Sequence, residues 1–112
     1  PRDFQMDTIA HGLSPPFAGP VTYEHCKAFV DNFIQVSDSE ILDAMGELFD
    51  MGFVCEPSGC AAFAAVRSGK LGAASDDTRR VVAVVSGRNI SPGEAAKLLA
   101  EARLGSRGDA RR

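Results

Sequence analysis

Val81-Val82-Ala83-Val84-Val85-Ser86-Gly87-Arg88-Asn89 is the stretch that decides the fold assignment. Its apolar run has no polar face, which is the pattern of a central parallel strand covered on both sides rather than a half-exposed antiparallel one. The run stops abruptly at Ser86-Gly87. Ser91-Pro92-Gly93-Glu94 then signals a helix start, with proline at the first helical position. A strand delivering a polar turn and then a helix predicts an α/β fold, in which ligands gather beyond the carboxyl ends of parallel strands. That rule points at Ser86 to Asn89. The plainer reading of the same residues is a strand-to-helix turn built on Gly87.

Downstream, Ala95, Leu98, Leu99 and Ala102 supply the apolar face of the last helix, and Gly105 is expected to close it. The polar residues 106–112 are expected to form a flexible tail. Their Arg107-Gly108-Asp109 triplet reads as a chance match to an integrin-recognition tripeptide. Upstream, residues 72 to 80 are a polar surface connection, and Cys60 to Val66 reads as a helix of small residues ending near Gly69. Glu56-Pro57-Ser58-Gly59 precedes it, delivered by the short extended segment Phe53-Val54-Cys55.

Ser37-Asp38-Ser39-Glu40 is a capping box, the Ser37 hydroxyl accepting from the Glu40 amide while the Glu40 carboxylate reaches back. Ile41, Leu42, Met45, Leu48 and Phe49 form the stripe of the helix that follows, and Gly52 is placed to stop it. Phe33-Ile34-Gln35-Val36 is a second strand candidate, preceded by a short helix over Thr22 to Val30. Four of the six prolines fall within residues 1–20, so Gly12-Leu13-Ser14-Pro15-Pro16 is irregular loop that something else must brace.

The chain has 112 residues, 45% hydrophobic and 24% charged, which fits one globular domain and excludes collagen-like or wholly disordered readings. A net charge of −3 offers no electrostatic reason to expect nucleic acid or an anionic membrane. No apolar run approaches the ~20 residues that span a bilayer, so a cytoplasmic protein is expected. Cys26, Cys55 and Cys60 show no disulfide spacing and read as reduced, mostly buried thiols. With His11 and His25 they also lack zinc spacing. Neither a nucleophile elbow nor a base pair for a hydrolase is visible.

Four motifs carry a resemblance that runs from about Asp7 to Leu99. Thr8-Ile9-Ala10-His11-Gly12, Val36-Ser37-Asp38-Ser39-Glu40-Ile41, Glu56-Pro57-Ser58-Gly59 and Ser86-Gly87-Arg88-Asn89-Ile90 occur in the order and near spacing of the serine/threonine dehydratase family. The chain resembles the C-terminal part of these pyridoxal-phosphate (PLP) enzymes of fold type II, which are tryptophan synthase β-like. Serine racemases and other β-hydroxyamino acid lyases share the pattern; threonine synthase usually differs at the Ser-Gly-X-Asn motif. The resemblance implies 1–105 as part of a catalytic domain with parallel strands and packed helices, and 106–112 as the tail.

It implies, further, that Ser86 hydrogen-bonds the pyridine nitrogen of PLP, that Gly87 belongs to the same motif, and that Glu56 and Gly12 lie near cofactor and substrate. A hydroxyl suits an unprotonated ring nitrogen, whereas a carboxylate favours the protonated ring and a stronger electron sink. Glu56 also reads as a helix-start carboxylate and Gly12 as a loop glycine. His11 stands where the family usually has aspartate, and Arg88 where a second glycine is usual.

The implied reaction is loss of water from L-threonine or L-serine to give a 2-oxo acid and ammonia. The implied parent is a homo-oligomer that binds an amino-acid substrate and a divalent or monovalent cation, with no nucleic acid and no membrane. The family's Schiff-base lysine and glycine-rich phosphate cup have no counterpart here, Lys27, Lys70 and Lys97 lying in unrelated contexts as solvated residues. This chain alone is therefore expected to be inactive, and a noncatalytic remnant or interaction module is the reading of a different class.

Overall fold

The computed structural model describes residues 7–72 and 80–109, with side chains through 104. A 3-10 turn, His11–Leu13, leads to α1 (Pro20–Phe29), α2 (Asp38–Asp50), α3 (Pro57–Arg67) and α4 (Pro92–Asp109). The central helix is α2, which packs against both α3 and α4, while the 3-10 turn packs against α3.

Local chemistry accounts for α2. Ser37 Oγ accepts from the Glu40 amide at 3.3 Å, and Glu40 Oε2 accepts from the Ser37 amide at 2.6 Å, completing the capping box. Ile41, Ala44, Met45 and Leu48 are buried on one face, and the expected Leu42 and Phe49 flank it half-buried. The last turn closes in a Schellman arrangement around Gly52, with Gly52 N–H donating to Phe49 O and Phe53 N–H to Leu48 O. Ala10, Cys55, Cys60, Ala64, Ala95 and Leu99 complete the core. Small residues on α3 let its backbone approach α2 closely, and Arg67 then bridges the two helices through Glu47 at 2.7 Å and Asp43 at 3.3 Å.

The expected parallel strands are corrected: the described residues contain helices and no strand. Val81–Val85 runs as unpaired chain, with Val82 86% and Val84 70% exposed. A strand exists through its ladder of backbone hydrogen bonds, and no backbone partner for these five residues is found among the described residues. Phe33–Val36 is likewise not a strand; Phe33 is exposed and only Val36 reaches the core.

Three smaller differences follow from local energetics. Pro20 at the first helical position starts α1 earlier than Thr22. The third helix starts at Pro57 for the same reason, not at Cys60. The last helix passes Gly105 and reaches Asp109, because an interior glycine costs about 1 kcal/mol of helix propensity without forbidding the helix. Lys70 is less solvated than expected: its Nζ donates to Gln35 O at 2.9 Å and to Glu40 Oε2 at 2.7 Å. Most of the polar connection over 72 to 80 and the end of the tail lie outside the described residues.

Candidate functional site

The N-terminal turn of α3 is where the predicted site residues meet. Glu56 is its N-cap residue, in extended backbone, and Pro57 occupies the first helical position. The Glu56 N–H donates to Gly87 O at 3.0 Å, fastening the 86–89 loop to the start of the helix. Gly87 has φ +77°, a left-handed conformation, and any Cβ there would collide with the Glu56 carboxylate lying over it. Gly59, one turn into the helix, faces Ser86 so closely that a Cβ would overlap the Ser86 carbonyl oxygen. Glycine at both places is what lets Ser86-Gly87 lie on the helix terminus.

The loop carrying Gly12 reaches the same turn. Gly12 N–H donates to Ser58 Oγ at 2.9 Å, and a Cβ at Gly12 would sit 2.9 Å from that oxygen and 3.9 Å from Glu56 Oε1. The brace required by the proline-rich segment is Asp38, whose Oδ2 accepts from Ile9 N–H at 3.1 Å while Oδ1 accepts from the Thr8 hydroxyl. Thr8 Oγ1 in turn accepts from the Ala10 amide at 3.2 Å. The first residue of α2 thus fixes the loop that presents His11 and Gly12.

Two cavities border this turn. One of about 320 Å³ is lined by Ile9, His11, Gly12, Glu56, Ser58 and Asn89 among others, and one of about 340 Å³ by Cys55, Val85, Ser86, Gly87 and Arg88 with Gly52 to Val54. Gly12 and Glu56 therefore face the first and Ser86 and Gly87 the second, and the contact of Glu56 with Gly87 joins them. Both volumes suit a small organic molecule. The polar groups offered are hydroxyl, amide and carboxylate, and no group of His, Cys, Asp and Glu able to hold a metal occurs among the described residues.

The sequence singled out Ser86, Gly87, Glu56 and Gly12, and Asn89 within the 86–89 turn, but not the supporting contacts of Asp38 and Ser58. In the sequence Asp38 is part of the Ser37–Glu40 capping box, and its reach to Thr8 spans thirty positions that no periodicity reports. Ser58 lay within a quoted motif, so the signal was present; its bond to Gly12 was not.

Comparison with known proteins decides the family. The family described as pyridoxal-phosphate dependent enzyme matches residues 1–87, most of the chain, ending on Gly87. This chain belongs to the pyridoxal-phosphate dependent enzymes. Within 84 residues it is 40% identical to the L-threonine dehydratase catabolic TdcB of Staphylococcus aureus strain N315, covering 74% of this chain and 24% of that protein. The same-named protein of strain USA300 is 39% identical over 84 residues with the same coverage. The chain thus spans about a quarter of the length of the curated relatives it matches. PLP is the cofactor of this family. Among the described residues no helix is long and apolar enough to cross a membrane.

Proposed function

We propose that this chain contributes the pyridine side of the cofactor pocket in a PLP-dependent L-threonine/L-serine dehydratase. The observation that carries the reading is the convergence of Gly12, Glu56, Ser86 and Gly87 on the first turn of α3, through the Glu56 N–H bond to Gly87 O. The Ser86 hydroxyl has no hydrogen-bond partner among the described residues, so it is available to donate to a ring nitrogen. Gly87, in its left-handed conformation, turns the chain at the helix terminus, and the Glu56 carboxylate lies against it. Gly12 acts by shape, since its N–H is already donated to Ser58.

Bound PLP supplies the electron sink that lets an amino acid lose its α-proton. A neutral hydroxyl at the ring nitrogen leaves that sink weak, and elimination tolerates this because the β-hydroxyl departs as the proton is lost. The residues of this chain orient and polarise the cofactor. Proton transfer belongs to the lysine, which has no counterpart here, so the chain alone should not deaminate threonine. L-Threonine is the substrate favoured by the names of its relatives. The proposed whole protein is cytoplasmic and homo-oligomeric.

The test is a chimera in which this chain replaces the corresponding segment of the Staphylococcus aureus dehydratase. The reading expects the chimera to release ammonia from L-threonine and Ser86→Ala to lower kcat on the order of tenfold. A chimera whose activity ignores Ser86→Ala contradicts it. One observation favours a second reading, an interaction module: α1 buries none of its residues and has no packing partner among the described elements. Size-exclusion chromatography of the isolated chain with the remaining part of the dehydratase separates the two, since a noncatalytic module would co-elute without restoring ammonia release.

A further inference from the structure

The two buried thiols beside the site remain unused by the proposed chemistry. Cys55 is 4% and Cys60 0% exposed, and their Sγ atoms lie 2.6 Å apart with neither in a disulfide. They flank Glu56-Pro57-Ser58-Gly59, the turn on which the site is built, and Cys60 Sγ donates to Glu56 O at 3.3 Å. Burial and the neighbouring Cys55 push the Cys60 thiol well up from its ordinary value, so Cys60 is a poor first nucleophile. Cys55 differs in access: it lines the 340 Å³ cavity together with Ser86, Gly87 and Arg88. A small uncharged oxidant has a route to Cys55 and none as direct to Cys60.

We propose that Cys55 and Cys60 form a reversible intramolecular disulfide on exposure to hydrogen peroxide, a modification site that closes the Glu56 turn into a ring. In the first step the Cys55 sulfur attacks one peroxide oxygen and the O–O bond breaks. The departing hydroxide takes the Cys55 proton and leaves as water, and Cys55 becomes a sulfenic acid. In the second step the Cys60 sulfur attacks the Cys55 sulfur, the S–S bond forms and the S–O bond breaks. Hydroxide leaves with the Cys60 proton as a second water. Each sulfur gives up one electron and the peroxide takes both, so two thiols and one peroxide yield one disulfide and two waters. A small dithiol reverses the reaction by exchange.

The consequence for the site is mechanical. Glu56 donates its N–H to Gly87 O and accepts from Cys60 Sγ, so the crosslink replaces a weak thiol bond beside Glu56 with a covalent tie across the turn. That link to the cofactor pocket rests on the function proposed above; formation of the crosslink does not.

The experiment treats the 112-residue protein with hydrogen peroxide, quenches in acid denaturant, alkylates and maps peptides. Cys26, half-buried on α1, is the internal control. The expected result is joint loss of alkylation at Cys55 and Cys60, restored by dithiothreitol, with each sulfur one hydrogen lighter and Cys26 still alkylated. In Cys60→Ala the resolving thiol is gone, and a dimedone adduct should accumulate on Cys55. Peroxide that modifies Cys26 while Cys55 and Cys60 stay alkylated overturns the proposal, as does a bridge between molecules. Hydrogen exchange at the Glu56 amide should slow in the oxidised wild type; an unchanged rate with the crosslink present overturns the coupling to the site while leaving the function reading intact.

Discussion

The block formed by α2 and α3 and the segment Val81–Val85 have similarly apolar faces and opposite fates. Met45 on α2 is 1% exposed, whereas Val82 is 86% exposed. The helix satisfies its own backbone and needs only a neighbour for its stripe, which α3 and α4 provide. A strand needs a partner for its backbone as well as for its side chains. Apolar content states what a segment can bury; the presence of a partner decides whether it does.

Substitutions sharpen this contrast. Met45→Ala opens a cavity in the packed block and should cost about 2–5 kcal/mol, read from urea unfolding, whereas Val82→Ala should stay within about 0.5 kcal/mol. Equal losses at the two positions would break the comparison.

Gly59→Ala tests whether the 86–89 loop rests on α3. At an open helical position the change would stabilise by about 1 kcal/mol of propensity. Here the new Cβ meets the Ser86 carbonyl, so the expected outcome is net destabilisation and faster hydrogen exchange at the Glu56 amide as its bond to Gly87 O is lost. A stabilised variant with unchanged exchange would show that the loop does not lie there.

A smaller effect is expected at the cap. Ser37→Ala removes one arm of the capping box and should cost about 1 kcal/mol, seen as a lower urea midpoint.

The smallest effect is a pH dependence. The Lys70 ammonium, and after it the Ser37 amide, hold the Glu40 carboxyl below its ordinary value of 4.5, and the Ser91 hydroxyl and amide do the same for Glu94. A folded-state value depressed below the unfolded one means that the unfolded chain binds protons first as pH falls. This contribution to stability is complete above the unfolded value and is lost as pH drops from there through the folded values. Lys70→Met should lower the urea midpoint above that range and flatten the slope of stability against pH within it, so that its difference from wild type shrinks as pH drops through the folded values, as measured by urea midpoints across a pH series.

How much was legible follows the same division. The capping boxes at Ser37 and Ser91, the stripe of α2 and the stop at Gly52 are local chemistry, and each appears where the residues indicated. Val81–Val85 and Phe33–Val36 failed as strands because their pairing is non-local and periodicity reports none of it. Of the candidate site, Ser86, Gly87, Glu56 and Gly12 meet at one helix terminus, but Asp38, which holds the loop of His11 and Gly12, acts over a separation that no motif spacing shows. The first turn of α3 is the common element, and its Gly59 stood within a quoted motif while its close approach to the Ser86 carbonyl was not readable from spacing.

The central claim is that Ser86 faces the ring nitrogen of PLP, and the visible absorption of cofactor bound to the dehydratase chimera tests it most directly. Ser86→Asp should shift that band and lower ammonia release from L-threonine together, because a carboxylate stabilises the protonated ring where the hydroxyl does not. An unchanged band with unchanged turnover would contradict the account.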